Sequence, residues 1–250
     1  MKKALFALCL SFTASQLMAA LPNQSPFVPA SGDYGAFSVQ DQGLGAADPD
    51  RAIAFDNFSL TGDYNLSGIC WTGIYAEPLP LALSDTDFIV EIWGDAAGAP
   101  DLGSGPVLSW TFEAGPVAGT GGPDLSVTAN GSVSPSTGTV VGGGPGFDYS
   151  GSIGGTLLAG DYWISILADQ TFANAAPVVD PEWMWHLGTG TDGFYAADLT
   201  NDGAGTPAYG IFQSDKNLAF ELKGSVVPEP STALLAIFAV MGIGAIRRKR

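Results

Sequence analysis

A single histidine, His186, limits the nucleophilic chemistry open to this chain of 250 residues. An imidazole-activated serine or cysteine would have to use it. No Gly-x-Ser-x-Gly elbow precedes it, and its setting, Trp183-Met184-Trp185-His186, is a strand-like run in which a lone histidine serves structure. One histidine excludes a multi-histidine metal site. Of the two cysteines, Cys9 lies in the N-terminal segment and Cys70 in the body, so a thiolate zinc site is excluded as well. Cys70 stands in Gly68-Ile69-Cys70-Trp71, which predicts a small buried hydrophobe rather than a reactive thiol.

Carboxylates are abundant instead. A glycosidase needs two acids on facing strands, one with a raised pKa; Glu91, Glu113 and Glu182 are strand-placed, and nothing pairs any two of them. Calcium would use loop oxygens, and Asp48-Pro49-Asp50, Asp85-Thr86-Asp87 and Asp198-Leu199-Thr200-Asn201-Asp202-Gly203 supply such clusters. Asp198 and Asp202 begin like an EF-hand loop, but Thr200 replaces an acid or amide and Tyr209 replaces the bidentate glutamate. Aspartate and asparagine also favour turns for conformational reasons. No cofactor is therefore expected, with calcium at Asp198 and Asp202 as the one candidate. Trp183 and Trp185 share a strand face about 6.8 Å apart, a spacing that suits successive sugar rings or, equally, a sandwich core.

The elements that must position these groups are strands. Nowhere do Ala, Leu, Glu and Lys recur at helical spacing, and 32 of the 34 glycines lie outside the C-terminal apolar segment. Short β-branched and aromatic runs are bounded by Gly, Pro, Asn and Asp. Seven stand out: 53–60, 66–75, 87–93, 107–113, 161–168, 182–187 and 218–222. In the fourth, Leu108, Trp110 and Phe112 share one face and Ser109, Thr111 and Glu113 the other. Weaker runs lie at 125–133, 139–141 and 209–213. The expected fold class is all-β, an antiparallel two-sheet sandwich, jelly-roll-like, forming one domain over 21–224. Its segment 114–160 reads as Gly-rich loops with edge strands.

Both chain ends read as targeting segments. Lys2 and Lys3, the apolar run 4–12 and the small-residue close at Ala19-Ala20 have the pattern of a secretory signal peptide over 1–20. Its loss would remove Cys9 and leave Cys70 alone, with no intramolecular disulfide. At the other end stand Pro228-Glu229-Pro230, then a charge-free segment, then Arg247, Arg248, Lys249 and Arg250. Residues 231–246 as a helix span roughly 24 Å, short of the ~30 Å hydrocarbon core. Four terminal cations place that end in the cytoplasm and the body outside. Pro228 and Pro230 keep the stretch between body and helix extended and accessible.

Proline-glutamate-proline, apolar helix and basic end, in that order, resemble the PEP-CTERM sorting tail, here 225–250. The resemblance implies an exosortase-type processing enzyme as partner, a membrane helix at 231–246 and topology signals at 247–250. The body resembles secreted bacterial β-sandwiches that accompany such tails, in Ile69-Cys70-Trp71-Thr72-Gly73 and Gly160-Asp161-Tyr162-Trp163-Ile164-Ser165-Ile166 among other runs.

Six of the nine basic residues lie in the two targeting segments, leaving Arg51, Lys216 and Lys223 against 25 acidic residues. A net charge near −22 repels nucleic acid, so that partner is excluded. Two functions are expected to compete. One is an exported, non-catalytic surface or extracellular-matrix protein sorted through its tail. The other is a carbohydrate-binding module on the same tail, using Trp183 and Trp185 on exopolysaccharide, with or without calcium; an extracellular glycosidase is a weaker third.

Overall fold

The computed structural model describes residues 21–24, 35–41, 51–75, 86–113, 124–133, 145–170, 183–190, 193–198, 208–210 and 217–228. Among them the fold is all-β, in two sheets. In chain order the strands are β1 (Asn23–Gln24), β2 (Gly35–Phe37), β3 (Val39–Asp41), β4 (Arg51–Leu60), β5 (Tyr64–Tyr75), β6 (Thr86–Gly94), β7 (Leu108–Glu113) and β8 (Leu125–Val133). There follow β9 (Pro145–Gly151), β10 (Gly155–Leu157), β11 (Gly160–Gln170), β12 (Trp183–Gly188), β13 (Phe194–Asp198), β14 (Ala208–Gly210), β15 (Asn217–Leu218) and β16 (Phe220–Val226).

β5 organises the first sheet. On one side it pairs with β10 and β9, and β8 adds to β9; on the other it pairs with β16 from Tyr64 to Trp71, then with β12 from Gly73 to Tyr75. β1 adds to β16, and β2 adds to β12. In the second sheet β11 lies between β4 and β6, with β7 beyond β6, and β13 and β14 beyond β4. β4 and β11 diverge at one end, where β3 enters between them, antiparallel to β4 but parallel to β11 over three residues. That short parallel pair departs from the all-antiparallel expectation. Buried Ser38, between β2 of one sheet and β3 of the other, satisfies the crossing backbone: its hydroxyl accepts from Ala54 N–H at 3.2 Å and its carbonyl from Ala168 N–H at 2.9 Å.

Side chains from both sheets fill the space between them. Phe88, Phe112, Trp71, Tyr149 and Trp183 form its aromatic centre, with Trp71 and Tyr149 stacked at 5.2 Å and Phe88 edge-on to Trp183 at 5.2 Å. Inward residues on β5 change parity, from Tyr64 and Leu66 to Ile69 and Trp71. The cause is a bulge at Ser67, where the β16 partners step from Gly224↔Leu66 to Lys223↔Gly68. Gly224 is required there, since a Cβ would stand 2.3 Å from the Asn65 carbonyl oxygen. A second, smaller apolar cluster, Ile53, Phe55, Trp163 and Leu167, lies on the other face of β4 and β11, against Ala99 and Leu102 of the β6–β7 connection.

Six of the seven expected strong strands are present, and the seventh, 218–222, is divided at Ala219 between β15 and β16. The segment read as loops with edge strands carries β8, β9 and β10, and β9 sits inside its sheet between β5 and β8. Its Pro145-Gly146 start hides the alternation of Phe147 and Tyr149 inward with Asp148 outward. β16 runs through Val226, two residues beyond the expected end of the body at 224. The signal peptide, the run 139–141 and everything after Pro228 lie outside the described residues.

Candidate functional site

The tryptophans expected to carry sugar stacking are in the core. Trp183 and Trp185 are both fully buried, because β12 is covered on both faces. Trp183 packs against Phe88 and Tyr149, and its indole lies over Gly73, where a Cβ would stand 2.3 Å from Nε1. Trp185 packs edge-on to Phe220 at 6.0 Å and donates from Nε1 to the Ala219 carbonyl at 2.9 Å. Neither ring offers a face to a ligand, which corrects the stacking assignment at these two positions. His186 follows them into the interior: its Nδ1 is 2.7 Å from the Leu187 carbonyl, and its own carbonyl accepts from Ala219 N–H. Burial pushes its pKa below the ordinary histidine value, against smaller opposing effects of the Leu187 carbonyl and the Asp148 charge.

Cys70 also departs from expectation. The bulge at Ser67 turns Ile69 and Trp71 inward and Cys70 outward, so the thiol is half-buried on the outer face of the first sheet. It is the middle of a row across five strands, Ser126, Ser150, Cys70, Glu221 and Asn23, each directly opposite the next. Beside that row Thr72 donates its hydroxyl to Asp148 at 2.8 Å. The small side chains leave a groove of about 370 Å³ lined by Thr72, Asp148, Ser126, Thr128 and Glu221 among others. The Lys223 ammonium pKa is raised above its ordinary value, chiefly by hydrogen bonding with Cys70. The groove can offer hydroxyl and carboxylate partners, and none of its outward groups is aromatic.

The most deeply built polar arrangement is one that sequence reasoning passed over. Asp56 on β4 is fully buried and bridges the sheets: Oδ1 accepts from Asn57 N–H at 2.8 Å and Oδ2 from Leu218 N–H at 2.6 Å. The Gln24 carboxamide, oriented by its partners, donates to Asp56 Oδ2 and to the Leu218 carbonyl, both at 2.8 Å, and accepts from Asn217 at 3.0 Å. Asn217 in turn accepts from Gly193 N–H. A signal for Asp56 existed, since it shares strand parity with Ala54 and Phe58. This network has the form of a structural tie, with its carboxylate sealed from solvent.

Of the calcium candidates, Asp198 is a β13 residue whose backbone pairs with Ala52 and Ala208, and Asp202 lies outside the described residues. Among the described residues no group of three His, Cys, Asp or Glu is placed to hold a metal ion, and no helix is long and apolar enough to cross a membrane. Of the sorting motif, Pro228 is described and exposed. It comes directly after Val227, whose N–H donates to the Asp63 carbonyl at 2.8 Å. Glu229, Pro230 and Arg247 to Arg250 lie outside the described residues. No protein-family model, curated protein or solved structure matches the chain.

Proposed function

We propose that this chain is an exported, non-catalytic protein of the cell surface or extracellular matrix, whose jelly-roll-like sandwich is cargo for a C-terminal sorting tail. An exosortase-type enzyme recognises Pro228-Glu229-Pro230 while the helix 231–246 holds the chain in the inner membrane and Arg247 to Arg250 stay cytoplasmic. The observation that supports this reading is where the described strand ends: among the described residues Val227 is the last with a hydrogen bond to the sandwich, and Pro228 is exposed. An accessible, extended peptide is what a processing enzyme needs, and prolines keep it out of the preceding strand. Burial of Trp183, Trp185 and His186 takes support from the carbohydrate-stacking and hydrolase alternatives. Among the described residues, the polar groove at Thr72 and Asp148 offers hydroxyl and carboxylate partners that a carbohydrate could use.

Cells making the full chain, and a chain ending at Val227, are fractionated and the mature C-terminus is determined by mass spectrometry. The full chain is expected to lose its tail near Pro228 to Pro230 and to appear at the surface or in the matrix. A membrane-bound product still ending at Arg250 would overturn the processing.

A further inference from the structure

We infer that the end of the sandwich from which the tail leaves is a membrane-facing surface, in contact with lipid headgroups until the tail is removed. The inference rests on the reading of 231–246 as a membrane helix. Val227 is fixed to the sandwich by its bond to the Asp63 carbonyl, and Ser231 is four residues further on. Four extended residues reach at most about 14 Å. The headgroup layer takes up roughly 5 to 8 Å of that distance. Only Pro228, Glu229 and Pro230 intervene in the sequence, so the end of the sandwich must rest within roughly 9 Å of the lipid surface.

Strand register identifies that end. Val226 and Leu157 both stand opposite Tyr64, and Gly160 stands opposite Leu60. The β4–β5 turn, the β10–β11 turn and the exit of the tail are therefore neighbours, and Asp63 joins all three: its side chain accepts from Ala159 N–H at 2.9 Å, its carbonyl from Val227 N–H. Leu158, at the tip of the β10–β11 turn, is 62% exposed, the largest exposure of a large apolar side chain among the described residues. The other such residue, Val107, 52% exposed, is at the same end, one position before Leu108, which pairs with Ile92. Two exposed apolar side chains at the end of the sandwich from which the tail leaves suit the headgroup region, where apolar groups find partial burial. Asp63, Asp95, Asp101 and Asp161 at this end oppose an anionic lipid surface. Contact is thus enforced by the tail and lapses when the tail is cut, which leaves an acidic body free to depart.

The full chain, with Cys9→Ser and Cys70→Ser and a single cysteine at Leu158→Cys or, at the opposite end of the sandwich, Glu113→Cys, is labelled with a polarity-sensitive fluorophore. It is then reconstituted into vesicles of phosphatidylethanolamine and phosphatidylglycerol carrying headgroup spin labels. Quenching at position 158 is expected to exceed that at 113 at least two-fold, and a twelve-residue Gly-Ser insertion between Val227 and Pro228 is expected to equalise them. Equal quenching without the insertion, in a chain that floats with the vesicles, would overturn the orientation and leave the tail's role intact. A label at 158 already shielded in detergent without lipid would also overturn it, since the contact would then be with protein. A chain that does not float at all would refute the membrane tail and the orientation together.

Discussion

Replacing Trp183 by alanine separates the two roles open to an indole at this position. Trp183 is fully buried, edge-on to Phe88 at 5.2 Å and to Tyr149 at 6.3 Å. Truncating a buried tryptophan costs about 3–5 kcal/mol, from lost transfer energy and the cavity that remains. Against a total stability of order 5–15 kcal/mol, that is a large share. In a body of about two hundred residues, roughly 2–4 °C per kcal/mol corresponds to a fall of about 6–20 °C in Tm. Urea unfolding followed by far-ultraviolet circular dichroism measures it without relying on the fluorescence that the substitution itself alters. Gly73 supplies an internal check. Its missing Cβ makes room for the Trp183 ring, so Gly73→Ala should destabilise by about 1–3 kcal/mol through overpacking. The cost should shrink by at least ~0.5 kcal/mol in a Trp183→Leu background, beyond the additivity of independent sites. The reasoning is refuted if Trp183→Ala costs under ~1 kcal/mol while abolishing retention on an exopolysaccharide column, because the ring would then be a ligand contact.

Buried His186 has its folded pKa below the unfolded value near 6.5, so the unfolded chain binds the extra proton as pH falls through that window. Stability should drop there with a slope of at most about 1.4 kcal/mol per pH unit and recover above pH 6.5; denaturant midpoints across pH 4.5–8 should show His186→Gln flattening this part of the profile, and an unchanged profile would remove His186 as its source. Asp56→Ala leaves the Leu218 N–H and the Gln24 amide without their buried acceptor, at an expected cost of about 3 kcal/mol. Gln24→Ala should cost about 1 kcal/mol; urea unfolding and hydrogen exchange at the Leu218 amide test both, and costs below ~0.5 kcal/mol for each would show that the network does not tie the sheets.

Strands whose inner and outer residues differ in polarity were legible from the chain alone. β7 is the clearest case: Phe112 is buried and Leu108 and Trp110 half-buried, while Ser109, Thr111 and Glu113 are exposed. β9 was hidden because glycine and proline at its start read as loop, although Phe147 and Tyr149 already alternate with Asp148. Strands of two or three residues, such as β1, β3 and β15, carry too few side chains for any period to appear. Among site residues, Cys70 was misplaced by a single step: local apolarity argued for burial, and the bulge at Ser67, defined only by pairing with β16, turned the thiol outward.

The sequence by itself determined the all-β class, the approximate strand positions, the acidic surface and the lack of a multi-histidine or multi-cysteine site, since each depends on composition or short-range periodicity. It also holds the order of Pro228-Glu229-Pro230, a charge-free segment and a basic end. Only the tertiary structure decided which faces are closed. A strand period assigns Trp183 and Trp185 to one face but cannot say that a second sheet covers it, because that depends on Phe88 of β6, far away in sequence. The same holds for Asp56, whose partners Gln24 and Leu218 come from opposite ends of the body, and for Leu158 and Val107, which register alone places at the same end of the sandwich as Val226. Burial and long-range pairing are properties of contacts between distant segments, and local side-chain pattern does not encode them.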